Sequence, residues 1–97
     1  MSFEHIDHAM LREICLRYGV DRLSVFGSVA RNEDTPSSDI DLIYSLAPGV
    51  QLGWEIEDLA DELAKFFGRP VDLVSRRALH PLLRDDVLAE AKPVYAA

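Results

Sequence analysis

The stretch Asp39-Ile40-Asp41-Leu42-Ile43 restricts this chain more than any other part of it. A run of β-branched and aliphatic residues reads as a strand, and side chains in a strand alternate faces with period two. Ile40 and Leu42 must then point into a core, which leaves Asp39 and Asp41 together on the opposite face. Like charges held side by side are costly unless a cation neutralises them. A divalent ion is the natural resolution, because Mg²⁺ takes one or two carboxylates and completes its shell with water and phosphate oxygens.

Upstream, Arg22-Leu23-Ser24-Val25-Phe26 reads as a strand that stops at Gly27. Gly27-Ser28 then precedes a short helical segment over residues 28–32. Glycine permits close backbone approach and helix N-termini favour phosphate, so this turn is a candidate phosphate cradle. Ser28 can add its hydroxyl to a phosphate oxygen, and Arg31 can add charge. Residues 32–38 contain Pro36 and are polar throughout, hence a loop. Ser38 ends that loop, where local hydrogen bonding to the backbone competes with a role in nucleotide binding.

The remaining pattern supplies the scaffold. Phe3, Ile6, Met10, Ile14 and Tyr18 are three and four apart, which predicts a helix over 3–18 with Ser2 as N-cap and Gly19 as the stop. The second strand covers 39–45. Leu52, Ile56, Leu59, Leu63 and Phe66 or Phe67 predict a long helix closed by Gly68 and Pro70. Val71-Asp72-Leu73-Val74 reads as a short strand that buries its apolar residues and exposes Asp72. Pro81 suits a first helical position, opening a helix to about Ala91, with His80 as its N-cap. Val94-Tyr95 adds a last strand. Alternating helices and strands imply an α+β fold, a mixed β-sheet of about four strands flanked by helices. At 97 residues the expectation is one domain, 1–97.

If 70–74 pairs beside 39–45, Asp72 reaches the same cation as Asp39 and Asp41. Three aspartates on adjacent strands can hold two ions that clamp the attacking and leaving oxygens of an in-line displacement. By position, Asp39 and Asp41 bridge both ions, and Asp72 serves the acceptor hydroxyl.

Composition narrows the partners. With a formal net charge of −7 and one basic pair, Arg76-Arg77, the chain is a poor electrostatic match for nucleic acid. No apolar run approaches the roughly 18 residues that span a bilayer. The segment from Met1 to His5 has neither the charge nor the apolar core of a signal peptide. A lone Cys15, read as a helix core residue, excludes an internal disulfide. Cytoplasmic placement is therefore expected. His5 and His8 read as solvated, and Trp54 lies off its helix's apolar stripe and is expected to be partly exposed.

Gly27-Ser28-Val29-Ala30-Arg31 followed by Ser38-Asp39-Ile40-Asp41-Leu42 resembles the signature of the DNA polymerase β-like nucleotidyltransferase superfamily. Asp72 in a short strand, and the brevity of the chain, resemble its minimal nucleotidyltransferase (MNT) branch. The resemblance implies a polymerase β palm-like fold with Mg²⁺ and ATP at Asp39, Asp41 and Asp72, the catalytic and metal-binding residues. Gly27 and Ser28, with Arg31 and Ser38, would bind the nucleotide. It also implies an antitoxin that transfers AMP to a tyrosine hydroxyl of a HEPN-domain RNase toxin, in a hetero-oligomer with it. Asn32 departs from the glycine common after the arginine, a position where asparagine tolerates a left-handed backbone. Two other functions fit the same residues: an antitoxin that neutralises its partner by binding alone, and a nucleotidyltransferase acting on a small molecule.

Overall fold

A computed structural model describes residues 5–97. Its frame is a four-stranded sheet in the order β3-β2-β1-β4. The strands are β1 (Val20–Phe26), β2 (Ile40–Leu46), β3 (Val71–Ser75) and β4 (Lys92–Ala96). β1 runs antiparallel to both β2 and β4, while β2 and β3 are parallel. A parallel pair requires a long crossover, which the helix α3 (Glu55–Phe67) supplies. The mixed sheet expected from the alternation of elements is the one observed.

The helix α1 (His8–Tyr18) starts later than its sequence suggests. Asp7 caps it, accepting a hydrogen bond from the Met10 amide at 3.0 Å, so residues 5–7 lie outside the helix. Ser2 and Phe3 fall outside the described residues. The buried face is also rotated from the expected one: Leu11, Ile14 and Cys15 are buried, and Met10 is exposed. Leu11 and Cys15, four apart, lie one above the other on the same face and displace Met10 from it. Cys15 is wholly buried, and burial pushes its thiol up to about 11. Gly19 ends α1 at φ 73°, where a Cβ would lie 2.7 Å from Val50 Cγ1.

α3 buries Leu59 and Leu63 against α1 and the sheet. Leu11, Leu23, Val25, Ile40 and Leu42 complete this core. Each fully buried aliphatic side chain stabilises the fold by roughly 1.5–3 kcal/mol. Gly68 then stops α3 in the left-handed conformation, as its position predicts.

The other face of the sheet is only partly covered. α4 (Pro81–Glu90) crosses it and contains no fully buried residue. His80 caps α4, its Nδ1 accepting from the Leu82 amide at 3.1 Å, and Pro81 takes the first turn. A 3-10 turn over Arg76–Ala78, which the sequence pattern does not announce, joins β3 to α4. Among the described residues, no helix is long and apolar enough to cross a membrane.

Candidate active site

β1 delivers its last residue, Phe26, directly opposite Asp41 of β2. The chain then turns through Gly27 at φ 70° into α2 (Gly27–Ala30), a single helical turn anchored by buried Val29 and Ala30. Two constraints fix glycine at position 27. An L side chain rarely adopts that backbone conformation, and a Cβ there would lie 2.5 Å from Asp41 Oδ2. The Asp41 carboxylate therefore lies directly over the turn. No side chain caps α2, so none competes for the amides at its start.

Ile40 and Leu42 are fully buried, which turns Asp41 to the opposite face of the sheet. Asp39 immediately precedes the strand and is exposed. Asp72 is also exposed and pairs in register with Asp41 across the parallel β2–β3 ladder. Residues in such register lie about 4.8 Å apart and point the same way. The partly buried Asp41 carboxyl is raised above its ordinary value, first by burial and then by the charges of Asp72 and Asp39, with Arg31 opposing. The register of Asp41 with Asp72, and the single residue between Asp39 and Asp41, put the three aspartates in one neighbourhood. Among the described residues, no group of three His, Cys, Asp or Glu side chains is drawn close enough to form a ready-made cation cage. Three like charges repel, and Mg²⁺ itself asks for few protein ligands. Hard carboxylate oxygens beside an uncapped glycine turn are a donor set that fits Mg²⁺ carrying a phosphate chain.

Arg31 and Ser38 are less free than their sequence positions imply. The Arg31 guanidinium donates to Glu33 at 3.1 Å and to Glu90 at 2.5 Å, linking the α2 turn to the end of α4. Ser38 Oγ accepts from the Thr35 amide at 2.8 Å and meets Thr35 Oγ1 at 3.0 Å, so its hydroxyl is engaged in shaping the loop. Asn32 adopts φ 58°, the left-handed conformation open to asparagine.

One supporting contact has no signature in the sequence. Arg69 donates to Asp34 at 2.7 Å in a largely buried ion pair. It ties the loop before Asp39 to the segment before Asp72. Thirty-five residues separate the two partners, and no local pattern links them. His5 and His8 are exposed, as is Trp54, at 89%.

The nucleotidyltransferase domain family matches residues 9–94, which include Gly27, Ser28, Asp39, Asp41 and Asp72. The chain belongs to the minimal nucleotidyltransferases. A solved structure described as a "putative minimal nucleotidyltransferase" is 40% identical, with a TM-score of 0.72, covering 94% of this chain and 99% of its own. The "Putative protein adenylyltransferase MJ0435" of Methanocaldococcus jannaschii is 42% identical over 81 residues, 84% of this chain and 86% of that protein. The protein adenylyltransferase MntA of Thermococcus cleftensis is 33% identical over 91 residues, 92% of this chain and 89% of that one.

This minimal nucleotidyltransferase also shares its fold with a chain of a crystallised toxin–antitoxin with AMP-PNP, with a TM-score of 0.72 at 21% identity over 95% of this chain and 75% of the other. A complex of tri-AMPylated Shewanella oneidensis HEPN toxin with MNT antitoxin gives a TM-score of 0.63 at 21% identity, over 93% of this chain and 70% of the other. Those two likenesses are of fold. Taken together, the family and the adenylyltransferase relatives make this chain a nucleotidyltransferase enzyme.

Proposed function

We propose that this minimal nucleotidyltransferase transfers AMP from ATP, with Mg²⁺, to a tyrosine hydroxyl of a HEPN-domain toxin, and so acts as the cytoplasmic antitoxin of a pair. The observation that carries this reading is the register of Asp41 with Asp72 beside Gly27. On this reading Asp72 serves the acceptor hydroxyl and Asp41, its neighbour, serves the phosphates. The relatives named as protein adenylyltransferases support the reaction class, and the fold shared with a complex of a HEPN toxin with MNT antitoxin supports the partner.

In this mechanism Asp39, Asp41 and Asp72 would hold the metal, which when bound would supply charge neutralisation for the triphosphate and the leaving pyrophosphate. The amides after Gly27 and the Ser28 hydroxyl cradle the distal phosphates. Asp72 orients the tyrosine hydroxyl and receives its proton. The phenolic oxygen forms a bond to the α-phosphorus as the bond to the β-phosphate oxygen breaks, and pyrophosphate leaves. Arg31, held by Glu33 and Glu90, moderates the charge at Asp41. Ser38 fixes the loop that presents Asp39.

The test is incubation of the protein with labelled ATP, Mg²⁺ and the HEPN-domain protein. Label on that protein's tyrosine, absent with Asp39→Ala plus Asp41→Ala, is the expected result. Full neutralisation of the toxin by the double variant without any label would replace this reading with inhibition by binding alone.

A further inference from the structure

Below the aspartates the open face of the sheet continues as a groove of about 400 Å³. Its floor is Ser24, Ile43 and Ser45, and it is walled by Leu88 of α4 and by Ala91 just past the helix. Ile43 follows Asp41 by two residues on the same face of β2, so groove and carboxylates share one surface. At the far end stand Arg22 and Arg76, and an adjoining hollow beyond Ser45 is lined by Arg76, Arg77 and Arg84.

These four arginines are unusual in this chain. They are four of its ten Lys and Arg residues, gathered on one face of a protein with net charge −7. Among the described residues, the ion pairs to carboxylates are made by Arg17, Arg31 and Arg69, and by none of the four. Guanidinium groups left without carboxylates suit an incoming anion, which they can grip with paired hydrogen bonds. From Asp72 to Arg76 is four residues of extended chain, about 13 Å.

We propose that this groove seats the acceptor polypeptide, and that the acceptor carries an acidic stretch about four residues from its reactive hydroxyl. The groove between this floor and Leu88 takes the backbone and small side chains of the segment, and the arginines take its carboxylates. A short acidic stretch meets only this basic end. A nucleic acid strand, charged along its whole length, would also meet the acidic remainder of the surface. The inference rests on the protein-modifying function proposed above and specifies its substrate.

Binding of fluorescent peptides tests it without turnover, in EDTA and without ATP. Each peptide carries a single tyrosine, with three glutamates or three lysines set off by three spacer residues, on either side. The glutamate peptide of one polarity is expected to bind at least tenfold tighter than its lysine counterpart. Arg76→Glu plus Arg77→Glu, both at exposed positions and checked by thermal melting, should abolish that preference. Equal binding of the two charge types, no binding, or tighter binding of oligoadenylate would overturn the proposal. Adding labelled ATP and Mg²⁺ then reads the reaction separately. Binding without transfer leaves the docking surface standing and counts against protein adenylylation, while transfer to a peptide that ignores the arginines does the reverse.

Discussion

Asp41 and Asp72 are paired in register across the only parallel ladder of the described sheet, although thirty-one positions separate them in sequence. The crossover through α3 makes them neighbours, and burial of Ile40 and Leu42 turns Asp41 away from the core. Burial of the Asp41 carboxylate, and then the charges of Asp72 and Asp39, oppose stability. A carboxyl whose folded value is raised contributes stability below its unfolded value, near pH 3.9, and loses it as pH climbs through the folded one. Asp41→Asn should therefore raise the melting temperature at pH 7, with the gain shrinking as pH falls towards 4. The same change should lower AMP transfer by about 100-fold or more, the scale of losing one electrostatic contact to the transition state. Paired melting curves and rates check both directions.

Gly27→Ala meets two obstacles, a left-handed backbone and the Asp41 carboxylate. The conformational part alone costs about 1–2 kcal/mol. Displacement of Asp41 should add a loss of transfer activity larger than the fall in folded population explains. Gly19→Ala is the control, because its Cβ would meet Val50, far along the chain from the aspartates. It should lower the melting temperature while kcat of the folded protein stays unchanged.

The Asp34–Arg69 pair should make the active-site loop acid-sensitive. The Arg69 guanidinium holds the Asp34 carboxyl below its ordinary value. A depressed carboxyl contributes stability above its unfolded value and loses it as pH falls through the folded one. Asp34→Asn should thus destabilise the protein at pH 7 and match the wild type well below pH 3.9. Slower transfer at neutral pH should accompany it, since this pair braces the approach to Asp39. Denaturant melts at a series of pH values resolve the trend.

Cys15 should be inert in the folded protein. Complete burial and a thiol pushed up to about 11 leave almost no accessible thiolate at neutral pH. Its reaction with a thiol reagent should follow the unfolding rate rather than the reagent concentration.

What the sequence disclosed follows from how local each signal is. The period-two pattern around Asp41 and the isolated Asp72 mark two strands, and the left-handed glycines at 19, 27 and 68 stand where element ends require them. Helix α1 was harder to read, because Ile6 and Met10 fit a helical spacing as well as Leu11 and Cys15 do. Only packing against α3 decides which stripe is buried, and the Asp7 cap then sets the start. Non-local contacts left no trace: neither Arg69 with Asp34 nor Arg31 with Glu90 follows from any spacing. Arg22, Arg76 and Arg84 likewise converge only after the sheet forms and α4 folds across it.

The central claim, that Asp39, Asp41 and Asp72 jointly hold a divalent ion with the nucleotide, is tested most directly by Mn²⁺ binding in the presence of AMP-PNP, followed by electron paramagnetic resonance. Wild-type protein should take up Mn²⁺ with the nucleotide, and Asp41→Asn and Asp72→Asn should each weaken that uptake at least tenfold while remaining folded. Undiminished uptake by the Asp72→Asn variant would contradict the account.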